Sequence, residues 1–205
     1  MTRYRTATLN ELSLILDWAV DEGWNPGLDD ADAFFAADPA GFFVAVDEQD
    51  HPIASISVVN HTDDFAFLGL YIVRKEFRGR GIGLRLWRHA LQHAGSRTVG
   101  LDGVEAQQEN YRASGFTYTG ATTRFTGHLS GQFDQSIRTA LPDDIPILIQ
   151  MEGAASGVSK ANYLRPWLIG SDNRTTFVIY DQGTIVGYCT IRSCQTGAKI
   201  GPLVA

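Results

Sequence analysis

The chain has 205 residues and a net charge of −6, a length that suits one large domain or two smaller ones. With 44% hydrophobic and 20% charged residues it can bury a core, which excludes a disordered chain. The acidic balance argues against a general nucleic-acid-binding protein. Because the sequence has no signal-peptide pattern and no apolar run of about 20 residues, we expect a cytoplasmic protein without membrane contacts.

The first part of the chain predicts two helices between strands. A strand over 3–8 leads into a helix over 9–23, whose start carries the capping-box pair Thr8 and Glu11. A shorter helix is expected over 28–38. Three strands bounded by turn residues then predict an antiparallel meander: 41–47, 53–60 and 65–73.

The elements after the meander begin with an amphipathic helix over 82–95, closed by Gly95. A strand over 98–103 and a short helix over 105–115 follow. Residues 116–129, rich in threonine and aromatic residues, are predicted as further strand.

The sequence also contains an internal repeat. The stretch YRTATLNEL at 4–12 resembles IRTALPDDI at 137–145, and the segment 41–59 resembles 175–192, both at an offset of about 133 residues. A duplicated unit is predicted. We assign residues 1–130 to a first domain and 131–205 to a partial second copy that stops before its own glycine loop.

A glycine-rich loop joins the third meander strand to the amphipathic helix. In EFRGRGIGLRLW, residues 76–87, the glycines are Gly79, Gly81 and Gly83. Glycine lets backbone amides approach a ligand, and a helix N-terminus offers free N–H groups to phosphate oxygens. The loop lacks the Lys-Ser/Thr pair of a P-loop, and its third glycine comes one residue too early for a dinucleotide fingerprint.

Basic residues surround this loop. Six basic residues and one acidic residue lie between Arg74 and Arg88, in an otherwise acidic chain. Such a cluster favours a local anionic ligand. The loop is therefore predicted to bind a diphosphate.

The spacing Arg78-x-x-Gly81-x-Gly83 resembles the acyl-CoA pyrophosphate loop of the GNAT superfamily of N-acetyltransferases. YRASGF, residues 111–116, resembles the Tyr-x-x-x-Gly-Phe motif of that superfamily, and the element order agrees over 3–129. The resemblance extends to a subgroup with a tandem second domain. It implies an α/β fold with a mixed, mostly antiparallel central sheet flanked by helices, followed by a partial second copy.

The resemblance implies acetyl-CoA as the co-substrate, with no metal. The asparagine that the family has seven residues before the motif tyrosine is Val104 in this chain, and Asn110 lies next to Tyr111 instead. A main-chain N–H of Ile72 or Val73 is expected to stabilise the oxyanion. The residues expected to contact acetyl-CoA are Tyr71, Ile72, Val73, Arg78, Gly79, Arg80, Gly81, Ile82, Gly83, Leu84 and Asn110.

Direct attack of an amine on the thioester needs a base and an acid. The resemblance makes Tyr111 the acid, while packing between helix and sheet is the alternative. The base is left open between Glu22, Asp102 and water, since either carboxylate could instead be a solvated helix-end or turn residue.

The segment EGWNPG is expected to bind the acceptor. Trp24 and Asn25 would line the pocket, unless Trp24 only covers the core. Surrounding acidic residues would attract a cationic amine, although such runs are more often solvated. They are Asp21, Glu22, Asp29, Asp30 and Asp32.

The chain is thus predicted to be an N-acetyltransferase that acts on a primary amine of a small molecule or peptide. The alternatives are a non-catalytic acyl-CoA-binding or sensing module, a scaffold without CoA binding, and acylation of an oxygen. His89 and His93 have helical i, i+4 spacing but no acidic partner nearby in the sequence, so no metal site is predicted. Nucleic acid and membrane are not expected as partners, and a homodimer is left open.

Overall fold

A computed structural model describes residues 2–205. The first sheet is mixed: its first four strands are antiparallel to one another in sequence order, and the fifth is parallel to the fourth. In spatial order its strands are β1 (Arg3–Thr6), β2 (Phe42–Val46), β3 (Pro52–Asn60), β4 (Phe65–Val73) and β5 (Thr98–Leu101). The predicted mixed, mostly antiparallel sheet is confirmed.

Helices cover both faces of this sheet. They are α1 (Leu9–Asp21), α2 (Asp30–Ala37), α3 (Ile82–Ala94) and the short α4 (Gln108–Ala113). Side chains alternate between the faces of a strand, so β2 sends Phe43 toward the core under α3 and Val44 toward the core under α1. Among residues 2–205, no helix is long and apolar enough to cross a lipid bilayer.

A second, smaller sheet repeats the order of the first. It is antiparallel and consists of β6 (Ile137–Thr139), β7 (Arg174–Asp181), β8 (Thr184–Ser193) and β9 (Ala198–Val204). Two helices, α5 (Ile145–Ser156) and α6 (Ala161–Ile169), lie between β6 and β7. The arrangement of strand, two helices and three-stranded meander confirms the predicted duplication of elements.

The repeat extends to individual hydrogen bonds at the start of the first helix of each copy. Arg5 donates to both carboxylate oxygens of Glu11, at 2.8 and 2.9 Å, and Glu11 accepts from the Thr8 amide. Arg138 donates in the same way to Asp144, at 2.7 and 3.0 Å. The capping box predicted for Thr8 and Glu11 is confirmed.

The strand predicted over 116–129 is wrong. The structure has no strand or helix in that segment, and Tyr118, Phe125 and Leu129 are 65%, 90% and 84% exposed. Threonine and aromatic residues favour strands only when a neighbouring strand completes their backbone hydrogen bonds and covers one face. This segment pairs with neither sheet.

The two sheets are joined through α2 and α6. The Phe34 ring of α2 stacks on the Trp167 ring of α6, with centroids 5.8 Å apart and planes at 4°. Tyr163 lies against both rings, and Ala33 is buried in the same core. Helix α2 of the first region therefore contributes to the apolar core of the second.

A buried carboxylate adds charge to this junction. Asp30 is 1% exposed and lies 2.7 Å from the Arg192 guanidinium and 3.8 Å from that of Arg174. Both guanidiniums lie over the Trp167 ring, at 4.7 and 4.5 Å from its centroid. One carboxylate of the first region thus forms ion pairs with two arginines of the second.

Replacing this carboxylate is expected to weaken the fold. Asp30→Asn should lower the free energy of unfolding by about 3 kcal/mol, because two partly or fully buried guanidiniums lose their charged partner. Urea denaturation measures the change. The matched control is Asp32→Asn on the exposed side of the same helix, which should stay within about 0.5 kcal/mol. Equal midpoints for the two variants would contradict the role of Asp30.

Candidate active site

The site begins at a bulge in β4. Ser57 pairs with Gly69 and Ser55 pairs with Ile72, so β4 carries one more residue than β3 between these pairs. The extra residue is accommodated at Leu70, whose φ is +46°, and the Ser55 hydroxyl donates to the Leu70 carbonyl at 2.8 Å. Such a bulge turns the strand and interrupts its ladder.

The strand β5 ends before β4 does. The parallel pairing covers only Phe65–Leu68 with Thr98–Leu101, while β4 continues to Val73. The carboxyl half of β4 therefore has an open edge on the β5 side. This is the gap predicted between the two strands.

The register of β3 and β4 decides which main-chain groups face the gap. The Arg74 amide donates to Ile53 at 3.1 Å, and the next pairs are Ala54 with Val73 and Ser55 with Ile72. Hydrogen-bonded and non-hydrogen-bonded pairs alternate in an antiparallel ladder. The main chain of Ile72 thus faces β3, which corrects its expected role, and the amide of Val73 faces the open edge.

The glycine loop follows directly and ends in the start of α3. Gly79 and Gly81 have φ of +75° and +70°, which favours glycine. The first helical bond runs from Arg85 N to Gly81 O at 3.2 Å, and no side chain caps the helix. The three amides before it, those of residues 82–84, lack an intrahelical acceptor and are available to an anion.

The arginines of the loop are partly engaged. The Arg78 guanidinium donates to the Val73 carbonyl at 2.8 Å and to the Glu22 carboxylate at 2.5 Å. Arg80 lies exposed over the Phe77 ring, 5.4 Å from its centroid. Arg78 therefore connects the end of β4 to the end of α1, a link that the sequence alone did not indicate.

Gly83 has a packing role that sequence reasoning missed. A Cβ at this position would lie 2.9 Å from Val73 Cγ2 and would also meet the Tyr71 hydroxyl. The missing side chain thus lets α3 approach β4 closely. Side chains alternate between the two faces of β4, and those of Tyr71 and Val73 point toward α3. This alternation, which is visible in the sequence, could have indicated the contact.

Tyr111 lies on α4 beside the gap. Its ring stacks on Trp87 at 6.0 Å and meets the Phe116 ring at 6.4 Å. Burial raises the pKa of the Tyr111 phenol. Burial also raises the pKa of Tyr71, and the nearby Tyr111 adds to that effect. Both phenols stay protonated at neutral pH and can donate a proton.

The two candidate bases lie in different settings. Glu22, which caps α1, is held by Arg78, so its carboxylate is not free to accept a proton without leaving this pair. Asp102 follows β5 directly and is exposed. Asn110 is exposed on α4, where its amide donates to Gln107 at 2.7 Å. The predicted roles of these three residues stay predictions.

The expected acceptor segment is bound by the second region. The Asn25 amide donates to the Thr196 carbonyl at 2.8 Å, and the Trp24 carbonyl accepts from Lys199 Nζ at 2.6 Å. Asp29 accepts from Asn173. Asp30 and Glu22 form ion pairs with arginines. Of the five nearby acidic residues, two are exposed and have no ion pair among residues 2–205: Asp21 and Asp32. Attraction of a cationic amine thus has little support.

The two helical histidines have structural contacts. His93 Nε2 lies 2.7 Å from the Asp38 carboxylate, a partner that the sequence did not reveal. The His89 ring meets the Phe43 ring edge-on at 5.7 Å. Across residues 2–205, no cluster of three or more His, Cys, Asp or Glu side chains has the arrangement of a metal site.

Comparison with known proteins identifies the family. A model of the acetyltransferase (GNAT) family matches residues 9–117, and a second model, described as an acetyltransferase (GNAT) domain, matches 148–205. Holothin acyltransferase of Pseudoalteromonas sp. (strain SANK 73390) is 37% identical over 201 residues, which cover 97% of this chain and 68% of that protein. The chain belongs to the GNAT acyltransferase family and carries a second, partial GNAT-like region.

Solved structures share the fold. A Pyrococcus horikoshii protein assigned to the acetyltransferases matches all of this chain and 71% of its own, with a TM-score of 0.73 and 16% identity. A GCN5-related N-acetyltransferase from Kribbella flavida matches all of this chain and 58% of its own, with a TM-score of 0.55 and 15% identity. At these identities the likeness concerns the fold.

The close contact at Gly83 yields a testable prediction. Gly83→Ala should lower the free energy of unfolding by about 1–3 kcal/mol, because the added methyl group overpacks the contact between α3 and β4. Urea denaturation measures it. Gly127→Ala is the matched control, since a Cβ there meets no atom within 4 Å. If both variants have the same urea midpoint of unfolding as the wild type, the contact between Gly83 and β4 is not tight.

Proposed function

We propose that this protein transfers the acetyl group of acetyl-CoA to a primary amine by direct attack. The observation that carries the proposal is the continuity of the open edge of β4 with the free amides of the glycine loop. An extended pantetheine arm needs unpaired main-chain groups, and a diphosphate needs free amides at a helix start. Here the two features are consecutive in the chain.

Acyl-CoA would supply an activated thioester, and the residues of this chain would bind and polarise it. The amides of residues 82–84 and the positive end of α3 favour the diphosphate. Main-chain groups on the open edge of β4 would bind the pantetheine arm, and one of their N–H groups would donate to the thioester oxygen, where negative charge develops during attack. Arg78 holds the Val73 carbonyl at 2.8 Å and so restrains this part of the main chain.

Proton transfer completes the reaction. The amine nitrogen forms a bond to the acyl carbon, the carbon–sulfur bond breaks, and the thiolate takes a proton from Tyr111. Burial raises the pKa of Tyr111, so the phenol carries its proton at neutral pH. The amine loses a proton to Asp102 or to water, since Glu22 is paired with Arg78.

The acceptor that we propose is a small-molecule amine with little positive charge. Most acidic residues around the acceptor segment are paired within the protein, and Lys199 lies against its main chain. An amine of low basicity is already neutral at pH 7, so it needs no strong base. The related protein is named for acylation of holothin, which makes holothin the first acceptor to assay.

Calorimetric titration with acetyl-CoA, followed by thiol release with holothin and a panel of amines, tests the proposal. Desulfo-CoA is the binding control for contacts that do not involve the sulfur. Micromolar binding with amine-dependent thiol release is expected. Binding without release for any amine would favour a non-catalytic acyl-CoA-binding module, and absence of binding would favour a scaffold.

The proton donor can be tested separately. Tyr111→Phe should reduce kcat by about 100-fold and leave the Kd for acetyl-CoA unchanged, because only the phenolic proton is removed. Steady-state thiol release and calorimetry give the two values. Tyr118→Phe is the matched control, since that phenol is exposed. A Tyr111→Phe enzyme with wild-type turnover would remove Tyr111 from the mechanism.

A further inference from the structure

We propose that the second GNAT-like region positions the acceptor-binding segment of the first, through Thr196 and Lys199. The segment Gly23–Asp29 is called the acceptor turn below. This inference rests on the proposed function, because it holds that the second region controls the affinity for the amine acceptor. Lys199 and Thr196 are positioning residues that act through the main chain of the turn.

The first contact fixes an unusual backbone conformation. Asn25 has a φ of +48°, in the left-handed region that non-glycine residues seldom adopt. Its side chain makes two hydrogen bonds to the main chain of Thr196: the amide donates at 2.8 Å, and the Thr196 N–H donates to Asn25 Oδ1 at 3.3 Å. The connection between β8 and β9 therefore helps to hold Asn25 in this conformation.

The second contact is a charged hydrogen bond. Lys199 Nζ donates to the Trp24 carbonyl at 2.6 Å. Burial lowers the pKa of Lys199, and Arg124 and Arg192 nearby lower it further. Holding a charged lysine in partly buried, electropositive surroundings costs folding free energy. The ammonium group of Lys199 contacts the acceptor turn.

The contacts continue along the turn. The Leu28 amide donates to the Ser193 carbonyl at 3.0 Å, and Gly27 forms an antiparallel bridge with Cys194. The acceptor turn thus contacts the end of β8 and the residue after it through one isolated bridge and one main-chain hydrogen bond. A cleft of about 150 Å³ beside it is lined by polar and apolar side chains of α1, Asp17 among them, and by apolar residues of the turn, with Gln195 of the second region on its wall.

The other end of the turn leads to the acyl-transfer site. Glu22, directly before the turn, is bound to Arg78, which also holds the Val73 carbonyl. One end of the acceptor turn is therefore held near the open edge of β4, and the other end is held by the second region. Loosening the second attachment should change how an amine is placed, while the glycine loop is left intact.

The experiment compares three variants of the full chain. Lys199→Met removes the donor at similar length, Lys199→Arg keeps a cationic donor, and Arg165→Met removes an exposed cation of α6 as the matched control. Hydrogen exchange of residues 23–29 reports on the turn without any need for turnover. The KM for the amine and the Kd for acetyl-CoA separate acceptor placement from cofactor binding.

We expect Lys199→Met to speed exchange in the turn and to raise the amine KM by about tenfold, the size of one charged hydrogen bond. The Kd for acetyl-CoA should not change, Lys199→Arg should restore much of the KM, and Arg165→Met should behave as the wild type. Unchanged exchange in Lys199→Met would overturn the inference, and so would faster exchange with an unchanged amine KM. A wild-type chain that releases no thiol with any amine would instead refute the proposed function.

Discussion

The end of β5 four residues into its pairing with the longer β4 is the constraint on which the site depends. An extra residue at Leu70 turns the strand, and the pairing with β5 ends at Leu68 while β4 continues to Val73. A fully paired β4 would have no main-chain groups to offer a ligand. Because β5 ends at Leu101, the carboxyl half of β4 is left as an open edge, and the glycine loop extends that edge to the N-terminus of α3.

The second region is connected to this site by charge as well as by packing. Asp30 pairs with Arg174 and Arg192 in a buried setting, and the neighbouring turn is held by Thr196 and Lys199. The acidic residues near the turn consequently stabilise the junction between the two sheets. This gives part of the acidic run a structural role.

Several features were predictable because they depend on short stretches of sequence. The capping box at Thr8, the strand and helix on either side of the glycine loop, and the repeated meander all follow from local patterns. The segment 116–129 was not predictable in this way. Its composition favours a strand, but a strand also needs a partner, and partners are decided by the whole fold.

The sequence by itself determined the family, the order of elements, the duplication and the position of the glycine loop, since each is a matter of residue type and spacing. Only the tertiary structure decided that Val73 and not Ile72 faces the gap, that Gly83 serves close packing, and that Glu22 is bound to Arg78. It also decided that Asn25 and Trp24 are held by the second region. These contacts join residues that are distant in the chain, and strand register and side-chain pairing arise only when the elements pack together.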